Sequence, residues 1–102
     1  MSLDQAKIKQ LRAIGHRLKP VVMFSDNGIS EGSLAELERA LNDHELIKVK
    51  FAFEDRNAKQ DALKTVLDAS QAQCIQQIGK VALLYRLATK TNKRLSNLHR
   101  PV

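Results

Sequence analysis

The sequence predicts a single α+β domain, a sheet with helices in a compact two-layer arrangement, its elements in the order α-β-α-β-α-β-β. Three observations predict it: segments with apolar residues at three- and four-residue steps, segments with apolar residues at every second position, and turn residues between the two kinds. The length of 102 residues is that of one domain, and 43% hydrophobic residues is too many for a disordered chain.

Ser2 followed by Gln5 has the spacing of a capping box, predicting a first helix from about Leu3 to Gly15. Ile8, Leu11, Ile14 and Leu18 form its apolar stripe, leaving Lys9, Arg12 and His16 stacked on another face. Lys19-Pro20 ends the helix, because Pro biases the residue before it away from helical geometry. Val21 to Phe24 is then a short strand entered through Pro, and Ser25-Asp26-Asn27-Gly28 a turn. Ser30 is the N-cap of the second helix, with Ile29 and Leu34 as a hydrophobic staple and Leu34, Leu37 and Leu41 facing inward.

From Glu45 to Phe53 the chain alternates, with Ile47, Val49, Phe51 and Phe53 on one side and Lys48 and Lys50 on the other, the period of a half-buried strand. Asn57 can cap a third helix reaching about Ser70, with Leu63, Val66 and Leu67 inward. Gln73–Ile78 and Val81–Arg86 flank Gly79-Lys80 as a tight hairpin. From Leu87 the pattern dissolves. Residues 1–88 are therefore expected to form the domain and residues 89–102 a mobile basic tail with too few apolar residues to dock.

Charge is unevenly distributed. Residues 1–20 carry five bases and one acid, residues 21–47 one base and six acids, and residues 79–102 six bases and no acid, within a net charge of +6. Basic ends on an acidic middle are the electrostatic footprint of a polyanion binder. No apolar run approaches the ~20 residues that cross a bilayer, and the first residues lack the apolar core of a signal peptide, so a cytoplasmic location is expected and no membrane. The lone Cys74 reads as a small buried hydrophobe.

No constellation points to catalysis. His16, His44 and His99 stand in no metal-ligand spacing, the turn at Ser25 lacks the glycines and Lys-Ser/Thr of a phosphate-cradling nucleotide loop, and no serine sits in GxSxG. Neither an enzyme nor a cofactor or metal site is expected. Glu31, Glu36, Glu38, Asp43 and Glu45 read as a solvated helix face, Glu31 complementing the helix dipole.

The basic residues admit two readings each. Lys9, Arg12 and His16 are a solvated helix face or a phosphate-binding stripe, and Lys48 and Lys50 either protect a strand edge or contact an anion. Lys80 and Arg86 place cations at both ends of the last strand, and the turn ending at Gly28 leads into a helix N-terminus, whose free N–H groups attract phosphate.

Four runs then carry a family resemblance: Gly15-His16-Arg17-Leu18-Lys19-Pro20-Val21-Val22, Asn27-Gly28-Ile29-Ser30-Glu31-Gly32, Glu45-Leu46-Ile47-Lys48-Val49-Lys50, and Ile78-Gly79-Lys80 through Leu84-Tyr85-Arg86. Over about residues 3–88 the chain resembles the YhbY-type bacterial proteins, the stand-alone form of the chloroplast RNA splicing and ribosome maturation (CRM) domain. The resemblance implies a four-stranded mixed sheet with helices, similar to the C-terminal domain of translation initiation factor three, and RNA binding in assembly of the large ribosomal subunit. It implies no enzyme.

The family's loop after the first strand is typically GxxG, comparable to the loop by which KH domains approach an RNA backbone. The matching positions here are Ser25, Asp26, Asn27 and Gly28, so the first Gly is replaced and an acid follows it. Lys48, Lys50, Gly79, Lys80, Tyr85 and Arg86 match without departure, Tyr85 reading more readily as packed than as stacked on a base. The candidate RNA-contacting residues are thus Lys9, Arg12, His16, Lys19, Asn27, Gly28, Lys48, Lys50, Gly79, Lys80 and Arg86.

At 4% aromatic, the chain cannot offer an aromatic stacking platform, which favours backbone and shape recognition of structured rRNA. The expected partners are precursor large-subunit rRNA and pre-large-subunit particles, bound by a monomer. A DNA-binding module lacks a helix-turn-helix arrangement here. The alternative is a protein-interaction adaptor that binds basic ribosomal proteins through the acidic second helix.

Overall fold

The computed structural model describes residues 4–99. The expected Ser2 cap and the last three residues of the basic tail lie outside them. Helix α1 spans Gln5–Gly15, capped by Asp4, whose carboxylate accepts the Lys7 N–H at 2.7 Å. Strand β1 (Pro20–Ser25) leads through the Ser25–Gly28 turn to helix α2 (Glu31–His44), whose expected cap holds: Ser30 Oγ accepts the Ser33 N–H at 3.1 Å. Strand β2 is Leu46–Ala52 and helix α3 is Arg56–Ser70. The cap of α3 is Asp55 rather than Asn57; its carboxylate accepts from the Asn57 N–H itself, so the expected cap is one of the capped donors. Strands β3 (Gln73–Ile78) and β4 (Val81–Tyr85) complete the expected hairpin, with Gly79 at φ +58° in its turn.

The four strands form one mixed sheet in the order β1-β2-β4-β3. β1 and β2 are parallel, as a helical crossover requires, and the other two pairings are antiparallel. The parallel register sets Phe24 beside Phe51, their ring centroids 5.5 Å apart. These rings, with Val22, Val49, Leu84, Leu37, Leu41 and Val66, make the main core between the sheet and α2 and α3.

The α+β class, the element order and the mixed sheet are as expected, but the helices do not share one layer. Leu11 of α1 packs with Leu46, Ile75 and Leu83 in a second, smaller cluster on the opposite face. A Cβ on Gly15 would lie 2.5 Å from Leu83 Cδ2, so the missing side chain is what lets the end of α1 approach the sheet. Coverage on both sides explains why Leu46 and Ile47 are both buried at the start of β2, where alternation alone would expose one of them.

The expectation of a tail too polar to dock is overturned. Glu45, the residue after α2, is wholly buried at φ +64°, a conformation that non-glycine residues rarely adopt. Its carboxylate accepts from the Ala88 N–H at 2.8 Å, the Thr91 hydroxyl at 3.3 Å and the Ser96 hydroxyl at 2.7 Å. Asn97 Nδ2 donates to the Leu46 carbonyl at 2.7 Å, and the Asn97 N–H donates to the His44 carbonyl at 2.9 Å. His44 Nδ1 lies 2.7 Å from the Leu95 carbonyl. Burying a carboxylate costs several kcal/mol, and hydrogen bonds to a charged acceptor recover about 1.5–3 kcal/mol each. The segment therefore docks through polar contacts, with Leu98 against the smaller cluster.

Candidate nucleic-acid interface

Because α1 covers only the Leu46 and Leu83 part of its face of the sheet, the rest of that face is open. Register places Met23, Lys50, Val81 and Ile78 in one row across the four strands, and Lys48, Leu83 and Gln76 in the next. Met23 is 60% and Ile78 67% exposed, large apolar surfaces left in water. A shallow cleft between the end of α1 and this face is lined by His16, Lys48 and Gln76 over a floor of Ile78, Val81 and Leu83. Lys50 is exposed and Lys48 half-buried, its stem along apolar neighbours.

Lys9, Arg12 and His16 are exposed at helical spacing on α1, and His16 brings their stripe to the cleft. Lys19 is exposed just before β1. Two turns sit at one end of the sheet, since Ser25 of β1 neighbours Ala52 of β2, and Lys50 neighbours Val81 at the start of β4. In the first turn the Gly28 N–H donates to the Ser25 carbonyl at 3.0 Å, and Gly28 adopts φ +99°. A Cβ there would meet nothing within 4 Å, so the backbone conformation, not space, selects glycine. Asp26, Asn27 and Gly28 are all exposed. In the second turn Gly79 accepts from Lys59 Nζ at 2.9 Å, and Lys80 is 3.8 Å from Glu54, an exposed pair that holds neither side chain firmly.

Arg86 does not join this set. The two-residue period that aims Ala82 and Leu84 at α2 and α3 carries Arg86 to the same side. There Nη1 donates to both Glu38 carboxylate oxygens at 2.8 and 2.9 Å and to the Ser70 carbonyl at 2.8 Å, while Nη2 donates to Asn42 Oδ1 at 2.9 Å. The guanidinium clamps α2, the end of α3 and β4 together, and it is withdrawn from the expected RNA contacts. Tyr85 packs in the smaller cluster, where burial and then the Glu45 charge push its hydroxyl pKa up. It is half-buried at the edge of that cluster.

The sequence reading missed the aliphatic floor. Val81 and Ile78 were assigned to strands without a face, although Met23, Lys50, Val81 and Ile78 share a row once the strand order is known. Lys90, Lys93 and Arg94, expected in a loose tail, are exposed on the docked segment. Among the described residues no group of three or more His, Cys, Asp or Glu is placed to hold a metal ion, and no helix is long and apolar enough to cross a membrane.

Fold and open face together define a small α+β domain that presents cations over an apolar floor. The family model for the CRS1/YhbY (CRM) domain matches residues 3–86, and the chain belongs to that family. A Pseudomonas aeruginosa protein named "Probable RNA-binding protein" is 52% identical over 98% of this chain and 96% of its own length. An "RNA-binding protein" of Haemophilus influenzae is 47% identical over 84% of this chain and 88% of its own. The solution structure of a hypothetical protein from Staphylococcus aureus superposes with a TM-score of 0.74 at 25% identity, covering 93% of this chain and 98% of that one.

Proposed function

We propose that the protein is an RNA-binding factor, not an enzyme, that associates in the cytoplasm with precursors of the large ribosomal subunit and assists their assembly by binding structured rRNA. The observation that carries the reading is the open sheet face, with Lys48 and Lys50 over the Met23, Val81 and Ile78 floor and the Lys9, Arg12 and His16 stripe alongside. Family membership and relatives named for RNA binding point the same way. Lysines supply affinity for phosphates without reading bases. Aliphatic side chains between them suit riboses and base edges in the wide, shallow minor groove of an RNA helix, and the face's aromatic residue, Tyr85, is half-buried against the smaller cluster, away from the Met23, Lys50, Val81 and Ile78 row, so it offers no platform on which a single strand would stack.

The adaptor alternative loses support because Glu38, central to the acidic helix face, is already paired with Arg86. The test is crosslinking in cells with sequencing of attached RNA, alongside gradient sedimentation of the lysate at low salt. Crosslinks concentrated in large-subunit rRNA and co-sedimentation with its precursors are expected. A protein confined to the top of the gradient, with crosslinks spread over unrelated RNA, would refute the assembly role.

A further inference from the structure

The family model ends at residue 86, yet residues 87–99 are built into the fold. This segment carries Lys90, Lys93 and Arg94, all exposed. Together with Thr91 and Asn92 they line a groove against Asn42 and Asp43 in the last turns of α2. We propose that this C-terminal clasp is a second RNA-binding surface, in which Lys90, Lys93 and Arg94 contact backbone phosphates. The proposal rests on the RNA-binding reading above and extends it to the other end of the sheet.

The first argument is preorganisation. A basic tail left loose would bind phosphates only after ordering itself, which weakens binding. Here Glu45 holds the segment at Ala88, Thr91 and Ser96, on either side of Lys93 and Arg94. Within it Asn92 Oδ1 accepts the Arg94 N–H at 3.1 Å, and the Asn92 carbonyl accepts the Ser96 N–H at 2.8 Å, so the turn bearing two of the cations is itself fixed. A buried carboxylate at positive φ is a costly way to tie down a chain end, and such an outlier points to a function for what it holds.

The second argument is chemistry. Every residue lining the groove is polar or charged, with three cations against the single carboxylate of Asp43. A protein partner would want an apolar or aromatic residue at its centre to desolvate, and none lines the groove. A polyanion needs only the fixed cations.

The third argument is placement. The clasp meets the start of β2 at Leu46, whereas Lys50 lies four residues along the strand, about 13 Å, and the Ser25–Gly28 turn lies past Ala52, six residues or about 20 Å along at about 3.3 Å each. Leu98 also packs against the smaller cluster under α1, while the groove that holds the cations is walled by Asn42 and Asp43 of α2. An RNA that touches both therefore follows most of the length of β2.

The test uses the full chain and a labelled RNA hairpin of about 20 base pairs, with affinity measured across a salt series. Changing Lys90, Lys93 and Arg94 together to Gln should weaken binding about 10-fold and reduce the log–log salt slope by about 2–3, as loss of up to three phosphate contacts requires. Glu45→Gln keeps all cations but loosens their support, so it should weaken binding several-fold while the salt slope is retained. An unchanged affinity and slope in the triple variant would overturn the proposal, as would an acidic protein displaced by that variant while RNA binding stays intact. Charge reversal of Lys48 and Lys50 separates the two readings. If that variant loses RNA and the triple variant does not, only the clasp proposal fails; if wild type binds no RNA at all, the reading beneath it fails too.

Discussion

Gly28 shows how one residue can matter without any side-chain contact. Its φ of +99° closes the turn that carries Asp26 and Asn27 beyond β1, and open space surrounds the place a side chain would take. Gly28→Val should therefore cost stability through the backbone alone, by about 1–3 kcal/mol, because a β-branched residue resists positive φ. Urea unfolding measures it, and a loss of RNA affinity larger than any change in fold would show that the turn also approaches the RNA. Cys74 offers a contrasting case. Burial pushes its thiol pKa up, more than a hydrogen bond with the Gln76 backbone lowers it, so at a given pH less of it is thiolate than in an unfolded chain. The native protein should accordingly react with a disulfide reagent at pH 8 more slowly than the urea-unfolded chain. Equal rates would place the thiol in water.

At the scale of elements, the docking of α1 depends on what Gly15 lacks. Replacing it by Ala improves helix propensity by up to about 1 kcal/mol, yet the added methyl would press on Leu83, which is buried under α1 with little room to move. A net loss of about 1–3 kcal/mol in thermal or urea unfolding is expected, whereas a neutral or stabilised variant would mean that α1 rides more loosely on the sheet.

Most elements were legible in the sequence because their signals are local: the Ser30 cap, the alternation from Ile47 to Phe53, and Gly79 between two β-rich runs. What was not legible depends on residues far apart in the chain. Glu45 looks like one more acid on an acidic helix until Ala88, Thr91 and Ser96 meet its carboxylate, so the tail was expected to be loose. Arg86 is grouped with the sheet lysines in the sequence because it ends the last β-rich run and matches the family pattern there. Its face is predictable from the two-residue period, but Glu38, 48 residues away, is what holds it. The open face needed the strand order β1-β2-β4-β3, since only then do Met23, Lys50, Val81 and Ile78 fall in one row.

On the scale of the whole molecule, cations gather on the α1 side of the sheet and at the clasp, while the α2 side is acidic and partly neutralised by Arg86. A net charge of +6 alone would give weak attraction to any polyanion; its separation by face makes one orientation favourable. If about four to six cations contact phosphates, the log–log slope of RNA affinity against salt should be about −3 to −5, at roughly 0.7–0.9 per phosphate. Changing Lys48 and Lys50 together to Glu removes two of those contacts and adds two repulsions at the centre of the open face. It should weaken binding by roughly 10-fold or more and flatten the slope by about 2. Both side chains lie on the uncovered face and neither has an acidic partner among the described residues, so the melting temperature should move little. Anisotropy titrations of wild type and variant on the same rRNA transcript at several salt concentrations decide the matter. A wild-type slope near zero, or a variant that binds as wild type does, would mean that the sheet lysines only guard a strand face and that affinity comes from elsewhere on the molecule.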